Sequence, residues 1–569
     1  MEKSREGNQN NTHIVKAVRI EPPEVDEYYL ISEREKVQVL SLEDDNSAEV
    51  LFQNEKYPRV VNYFDDWELL PYEKIKNQII EVREQNKRPF LIKKEVASLV
   101  IESLCKHGFF AWSNEESYYF RNKDHKLFSV NSIAFQAFVE FSFGLNSTEI
   151  EYKYLIESIK AYAYREKTVT VYNFCFYNRY LSCLYISSFD GMMYRLNGYI
   201  VESVPNGTDG ILFIDDPSWE SFEYLGQNIR SGYVSELLVD TINFTLSTEV
   251  LLLPSEQRGF WLLNIFSLFF ESLLPTKPLT LFLGQKGSGK TSTLSWILSL
   301  FFGSKVRVLS MGKDKEDAFL ASICNEYLVV YDNVDGKILW LNDHLAAVAT
   351  GSGIIRRKLY TTNEKSKMFP RVFIFLTSRT PNFKRDDLAD RMLIFNVETF
   401  KEFKSEEQLR KERADKRNEL MTELLNDLNT IVQHLKTDGN PEFKTNHRMA
   451  DWAKLVCRIG RVVGVENKII LALEKLQHDQ SEFLLGDEPI AQALELWTGI
   501  PGYEARSLTA KELLDELGSA FPEIRSTYRS PKSLAQKLTH IEKNLKIYYE
   551  IKTEKEEGKA KTYSFSKRK

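Results

Sequence analysis

Along this chain the apolar residues recur first at helical spacing, then at strand spacing, and then in an alternation of the two. Residues 1–85 are acidic and weakly patterned, and they predict little. From Lys93 to His107 the apolar spacing is helical. Two β-like runs follow at Phe109–Trp112 and Ser117–Phe120, and another helix begins at Ser132. Between Thr168 and Asp216, aromatic and β-branched runs alternate with turn signals at Asp190-Gly191, Asn197-Gly198, Asn206-Gly207 and Asp209-Gly210, which predicts hairpin-rich sheet. Helical spacing returns from about Ser218 to Leu274. Pro275 and Pro278 then precede a short apolar strand, Leu279–Leu283, and from there to about Val397 strands and helices alternate as in a parallel α/β sheet. Residues 400–437 form a charged helical stretch, 444–497 are more apolar helix, and Pro501-Gly502 marks a linker. The predicted division is 1–85, an α+β platform at 86–216, a helical linker at 217–275, an α/β core at 276–400, a helical lid at 401–500 and a terminal module at 501–569.

Composition changes this picture in three ways. At 569 residues, 43% hydrophobic and 27% charged, the chain can bury several cores and is not mostly disordered. Its net charge of −6 excludes a chain that is basic throughout, so a nucleic-acid partner would meet local patches or a ring pore. Five scattered cysteines without a CxxC pair indicate neither a zinc site nor a disulfide framework, and they suit a reducing cytoplasm. The most apolar stretch, Trp261–Leu274, contains Asn264 and Glu271 and is shorter than the ~20 residues of a membrane span, so a buried helix is expected.

The strand Leu279–Leu283 runs directly into Gly284-Gln-Lys-Gly-Ser-Gly-Lys290-Thr291, followed by an amphipathic helix, Ser292–Phe302. This is the P-loop pattern GxxxxGK[ST]. Gly284, Gly287 and Gly289 let the backbone turn tightly and aim its N–H groups at phosphates, and the helix N-terminus that includes Ser292 adds a favourable dipole. Lys290 would reach the β- and γ-phosphates of ATP, and the Thr291 hydroxyl would sit on Mg²⁺. About 40 residues later, Tyr327–Tyr331 reads as a buried strand ending in Asp332-Asn333. A carboxylate at the C-terminal end of a parallel strand can reach a Mg²⁺ shell, which makes Asp332 the second metal candidate. A third strand, Arg371–Leu376, ends in Thr377-Ser378-Arg379. It reads either as a γ-phosphate or water contact, with Ser378 as the candidate, or as plain turn chemistry.

The terminal module begins with Thr509-capped helical spacing over Leu508–Leu517 and continues with a helix from Ser530-Pro531 to Asn544. Two short strands, Ile547–Lys552 and Lys561–Phe565, follow. Helix, helix, then β-wing is the order of a winged helix. From Lys532 to Lys569 eleven Lys or Arg face five Glu, a net +6. Lys532, Lys537, Lys543, Lys555 and Lys559 are the candidates for contact with duplex DNA. Docking on protein is the other reading.

Several segments follow one another closely: Asp332-Asn-Val-Asp-Gly336, Trp340-Leu-Asn-Asp-His-Leu-Ala-Ala-Val-Ala-Thr-Gly351, Arg356-Arg-Lys-Leu-Tyr-Thr-Thr362 and Leu388-Ala-Asp-Arg391. Together they resemble the ATPase module of phage and mobile-element helicases and primase-helicases. They are similar to the replication initiators of staphylococcal pathogenicity islands and to cassette chromosome helicases, themselves akin to superfamily-3 and minichromosome-maintenance motors. The resemblance is close over about 276–400. It is looser at Tyr194–Gly198, Val204–Gly210, Arg448-Met-Ala-Asp451 and the terminal module. It implies a multidomain α/β protein with an AAA+ P-loop core, an N-terminal α+β region and a C-terminal winged helix. It also implies a homo-hexameric ring, ATP-driven translocation on single-stranded DNA and a part in replicating a mobile element. No primase signature is evident in the first 270 residues.

Within that resemblance, Arg385 and Arg391 would face a neighbouring subunit's nucleotide, or else form a surface salt-bridge cluster. Arg448 would match a nucleotide-sensing arginine on the lid, or be a helix-surface arginine. Ile354–Thr362 and Met368–Leu376 would form a hairpin whose tip carries Lys365 and Lys367 into a pore as point charges for phosphate, or into solvent. One departure stands out: most AAA+ proteins carry Asp or Glu where this chain has Asn333. An amide can orient water but cannot take its proton. Asp335 is a possible substitute, and the general base stays unassigned. The expected function is an ATP-dependent DNA helicase or self-loading initiator. The alternative is a DNA-binding regulatory ATPase switch without processive unwinding, for example in phage defence. A P-loop small-molecule kinase leaves the hairpin and the terminal module unexplained.

Overall fold

The structure is a computed structural model, and it describes residues 28–31, 35–43, 47–52, 58–62, 68–69, 72–85, 87–166, 168–227, 229, 242–245, 251–312, 315–334, 338–357, 365–379, 386–401, 405–445, 447–462, 464–485, 488–500, 506–554 and 560–567. Two compact units divide at Val169/Thr170, with Asp124–Lys126 belonging to the second. The division falls inside the platform expected at 86–216.

In the first unit the weakly patterned N-terminal region contains a five-stranded antiparallel sheet, in the order Arg59–Asn62, Ser47–Phe52, Glu35–Glu43, Tyr28–Ile31, Glu68–Leu69. Val37 and Val39 alternate inward from the central strand. The helices Glu73–Glu84 and Pro89–His107 share one core, in which Ile79 and Val82 pack with Val96, Val100 and Leu104. A boundary at residue 85 would therefore cut a packed helix pair. The helix Ile133–Phe143 is capped by Ser132, whose Oγ accepts the Phe135 N–H at 3.1 Å.

In the second unit, Cys175–Asn178, Cys183–Ser187, Met192–Leu196 and Val201–Pro205 form an antiparallel meander in chain order, as the turn signals predict. This sheet shares its core with the region that follows: Phe174 packs against Phe269, Phe301, Phe302 and Tyr327. That shared core places the sheet with the α/β region. Of the helix expected from Ser218 to Leu274, the described residues hold Pro254–Ser267, continued by a 3-10 turn over Leu268–Leu273, while residues 230–241 and 246–250 lie outside the described residues. Residues 221–226 are not helical, because they lie along the helix Arg417–Thr437. There the Leu225 N–H is taken by Thr422 Oγ1 and the Tyr224 hydroxyl by Asn426.

The centre of this unit is a five-stranded parallel sheet of β1 (Leu279–Leu283), β2 (Leu309–Ser310), β3 (Leu328–Asp332), β4 (Phe373–Ser378) and β5 (Met392–Asn396), in the spatial order β2-β3-β4-β1-β5. Both faces are buried, and alternate residues serve different cores. Phe373 and Phe375 point, with Phe282, Leu328 and Val330, to the face covered by Trp261 and the helix α1 (Lys290–Phe302). Ile374 and Leu376 point, with Leu281 and Val329, to the face covered by the helices Glu316–Asn325 and Leu339–Ala349.

The hairpin before β4 differs in register from expectation. Ile354–Arg357 pairs with Lys365–Met368, so Lys367 stands opposite Ile355 and Lys365 opposite Arg357. Both lysines are strand positions and not turn positions. Phe373–Ser378 belongs to the central sheet, because its apolar run is needed to fill both cores. Residues 358–364 lie outside the described residues.

Helices at Glu406–Asp415, Arg417–Thr437, Ala450–Val462, Glu466–Leu485 and Pro489–Trp497 follow. The terminal module has helices Ala510–Ala520, Pro522–Thr527 and Pro531–Tyr548, and a three-stranded antiparallel sheet in the order Leu508–Thr509, Thr562–Lys567, Tyr549–Glu554. The last helix extends four residues beyond the expected Asn544, because Leu545 remains on its buried face. Among the described residues no helix is long and apolar enough to cross a membrane.

Candidate nucleotide site

All the chemistry read from the P-loop pattern gathers at the C-terminal edge of the parallel sheet. β1 delivers the loop Gly284–Gly289, and α1 starts at Lys290. Two of the glycines are required by close approach. A Cβ at Gly284 would lie 2.2 Å from the Val397 carbonyl oxygen. At Gly289, in left-handed backbone (φ +74°), it would lie 2.7 Å from the Phe400 ring.

Lys290 is folded back into its own loop. Its Nζ donates to the Gly284 and Gln285 carbonyls at 2.7 and 2.9 Å and to Ser288 Oγ at 3.0 Å. Burial pushes this ammonium below its ordinary value; Asp332 opposes that effect, and Arg379 adds to it. A buried cation held only by neutral carbonyls and a hydroxyl is ready to exchange them for an anion.

Thr291 Oγ1 donates to Asp332 Oδ1 at 2.8 Å across the gap between α1 and the end of β3. Thr377 Oγ1 donates to the same carboxylate oxygen, and it accepts the Asn333 N–H at 2.9 Å. Asn333 is in left-handed backbone (φ +51°) and turns its side-chain amide onto Asp332 Oδ2 at 3.3 Å. The pair formed by Thr291 and Asp332 is a hydroxyl and a carboxylate beside a glycine loop. Such hard oxygens fit Mg²⁺, which takes one or two protein ligands and fills its octahedron with phosphate and water. Among the described residues no group of three or more His, Cys, Asp or Glu is placed to hold a metal by itself.

The remaining candidates separate. Ser378 is buried on the opposite face of β4 from Thr377, where its hydroxyl donates to the Val334 carbonyl at 2.9 Å; Thr377, not Ser378, meets Asp332. The Ser292 carbonyl accepts from Arg413 at 3.2 Å, and Arg413 also lies 5.2 Å over the Trp296 ring. Arg391 sits at the other edge of the sheet. Its carbonyl accepts the Leu279 N–H at the start of β1, about 13 Å of strand away from the P-loop end at ~3.3 Å per residue. Arg448 is at that same far edge, paired with Asp390 at 3.0 Å, and so lies away from this chain's own P-loop. Arg385, Asp335, Lys555 and Lys559 lie outside the described residues, as do the side chains of Lys365, Lys367 and Lys543. In the terminal module Lys532 is exposed, whereas Lys537 is held by Glu488 at 2.5 Å, its charge already matched.

The strap after β5 is a feature the sequence reading missed. The Phe400 N–H donates to the Gly287 carbonyl and Thr399 Oγ1 to the Lys286 carbonyl, both at 3.3 Å. Nothing in its residue types marks it, since the contact depends on β5 lying next to β1.

Residues 261–478 match a family model described as the Actinomycete integrative conjugative element replication protein. Among solved structures, the A-form apo structure of the NrS-1 C-terminal region is 11% identical over 81% of this chain and 97% of that chain, with a TM-score of 0.35. SCCmec type IV Cch, described as an active helicase, is 14% identical over 68% of this chain and 75% of that chain, with a TM-score of 0.34. No curated protein matches the chain.

Proposed function

We propose that the chain is an ATP-dependent DNA motor that serves as the replication initiator of a mobile element. The observation that carries this reading is the Thr291–Asp332 contact of 2.8 Å beside Lys290, at the C-terminal edge of a sheet ordered β2-β3-β4-β1-β5. In this reading Gly284–Ser292 cradles the phosphates of ATP, and Lys290 leaves its loop carbonyls for the β- and γ-oxygens. Thr291 and Asp332 hold Mg²⁺, which when bound neutralises charge on the phosphates. Thr377 fixes the Asp332 carboxylate and the Asn333 turn, and so aligns that ligand. The match of residues 261–478 to a replication-protein family supports the role in a mobile element.

Arg391 and Arg448 lie at the edge away from the P-loop, which supports a head-to-tail ring in which that edge faces the next copy's nucleotide. We assign six copies to that ring, with single-stranded DNA in its pore. In this assignment residues 276–400 are the motor core, 401–500 the lid and 501–569 a winged helix. That module's helix Pro531–Tyr548 presents Lys532 to duplex DNA.

A second reading, a DNA-binding switch without processive unwinding, is favoured by Asn333. Its amide is committed to Asp332, and no carboxylate stands in its place to take a proton from water. One comparison decides between the two: ATP turnover and displacement of a forked duplex, by the wild type and by Lys290→Ala. A motor hydrolyses ATP and displaces the strand, and Lys290→Ala loses both with its fold intact. Turnover without displacement would leave the switch. Near wild-type turnover by Lys290→Ala would put the nucleotide site elsewhere.

A further inference from the structure

A cavity of about 440 Å³, large enough for one nucleotide, opens at the foot of the hairpin, where the chain leaves Lys365–Met368 for the central sheet. Tyr172, Phe176 and Phe369 give it aromatic walls, and Arg179, Lys277 and Arg371 give it cations. Tyr172 and Phe176 are stacked on each other at 4.1 Å, so that wall is rigid. Phe369 instead stands 67% exposed, with its ring beside Gly353.

The charges do not cancel. Glu271, the carboxylate of the lining, is matched by the buried Lys277 at 2.9 Å, and Lys277 also lies 5.9 Å over the Phe373 ring. Arg179 is exposed and anchored through one guanidinium nitrogen to the Ser272 carbonyl, which leaves its charge unmatched. Arg371 is exposed, and among the described residues neither arginine has a carboxylate partner. Tyr180, next in the chain after Arg179, is fully exposed. Two unmatched guanidinium groups beside outward-facing rings are the two components of single-strand recognition: phosphate neutralisation and a stacking platform.

We propose that this cavity is a single-stranded DNA subsite that holds one nucleotide, with Arg179 and Arg371 on its flanking phosphates and a base stacked on Phe369. It rests on the DNA-motor reading only for the identity of the partner, since it uses neither the P-loop nor the hairpin lysines. Phe369–Arg371 continue directly from the hairpin strand, so a strand gripped at the hairpin would pass this subsite next.

The test is equilibrium binding of a labelled oligo-dT to the full chain across a salt series without nucleotide, beside a duplex of equal length. Arg179→Ala/Arg371→Ala should weaken oligo-dT binding and lower the log–log salt slope by about 1.4, two phosphates at ~0.7 each. Phe369→Ala should weaken it at least about fivefold with the slope unchanged. The Arg179→Lys/Arg371→Lys variant should restore the slope, since lysine also serves as a point charge, and its recovery shows that the alanine variant's loss is not misfolding. Duplex binding should change less than twofold. An alanine double variant with unchanged slope and affinity would overturn the subsite. So would loss of binding that inorganic phosphate reproduces by competition while Phe369→Ala stays silent, which would leave an anion site only. If Lys290→Ala abolishes nucleotide binding but keeps the oligo-dT contact, the two sites are independent, and the inference stands whatever becomes of the ATPase reading.

Discussion

Replacing Thr377 by valine removes the hydroxyl that bridges the Asp332 carboxylate and the Asn333 N–H. Thr377 is fully buried, valine matches its shape, and the backbone pairing of β4 stays as it is. Two interactions disappear. The Asn333 N–H, in a left-handed turn, loses its acceptor at 2.9 Å, and Asp332 loses one of the two hydroxyls on its Oδ1. Asn333 is itself exposed, so water can take part of the lost acceptor's place, and the cost falls at the low end of the about 1–3 kcal/mol of an orphaned buried group. The Asp332 share is likewise small, because that carboxylate is only half-buried and water can replace a donor there. A loss of about 1 kcal/mol in the unfolding of the α/β core is therefore expected, read by thermal or urea melts. The effect on turnover should be larger than the effect on stability. Asp332 would be free to rotate away from Thr291, and a misplacement of about 1 Å at a reacting site costs on the order of 100-fold. Steady-state ATP hydrolysis should fall by that order in Thr377→Val and recover in Thr377→Ser, which keeps the hydroxyl. Ser378→Ala should leave turnover near wild type. Wild-type turnover by Thr377→Val, or equal losses in Thr377→Val and Ser378→Ala, would refute the assignment of Thr377 as the residue that positions Asp332.

Two further outcomes follow from the same geometry. Arg391→Ala should be inactive alone and regain ATPase when mixed with Lys290→Ala, with about a quarter of the interfaces complete in an equal random mixture; zero activity at every ratio would count against a shared site. Asp427, on the helix Arg417–Thr437, has its carboxyl pushed up to about 6 by burial and then by Glu423. A raised folded-state value favours the fold below pH ~4 and loses that contribution as pH rises through ~6, so Asp427→Asn should add up to about 2 kcal/mol at pH 7.5 and nothing at pH 4 in paired melts; an equal effect at both pH values would show that the charge is not the cause.

How far the sequence reaches depends on which physical rule each feature obeys. The P-loop was legible because its glycines, lysine and threonine are consecutive, and the strand and helix around them carry their own periodicity. Thr377 was legible in principle. Alternation along β4 puts Phe373, Phe375 and Thr377 on one face, and alternation along β3 puts Leu328, Val330 and Asp332 on the same face, towards α1. Ser378 has the other parity, and that alone separates it from Asp332. The sheet at Tyr28–Leu69 was missed although Glu35–Glu43 alternates, because the strands around it are only two to six residues long, too short to show a clear period. The helical spacing expected to begin at Ser218 is not helix over 219–226, where apolar residues satisfy tertiary contacts instead: Trp219 and Phe222 pack into the large aromatic core from non-helical backbone.

What no local pattern supplies is the direction of the strands relative to one another, and that direction decides which candidates share a site. Since β1 and β5 run parallel, whatever precedes β5 lies beside the start of β1, and whatever follows it lies beside the P-loop. Arg391 precedes β5, and Asp390 beside it holds Arg448, so both arginines are carried to the far edge. Thr399 and Phe400 follow β5, so they cross Lys286 and Gly287. In the proposed function, where Arg391 and Arg448 serve the nucleotide, the phosphate loop at one edge and the two arginines at the other stand about the length of a strand apart. No side-chain rotation closes such a gap, since an arginine reaches roughly half of it, and the sheet between is packed on both faces. In the proposed ring the two edges meet between copies. The repeating contact that brings them together is head-to-tail, which closes into a ring when its rotation divides the circle and otherwise runs on as a filament. The proposed function thus requires an assembly in which each nucleotide site is finished by its neighbour.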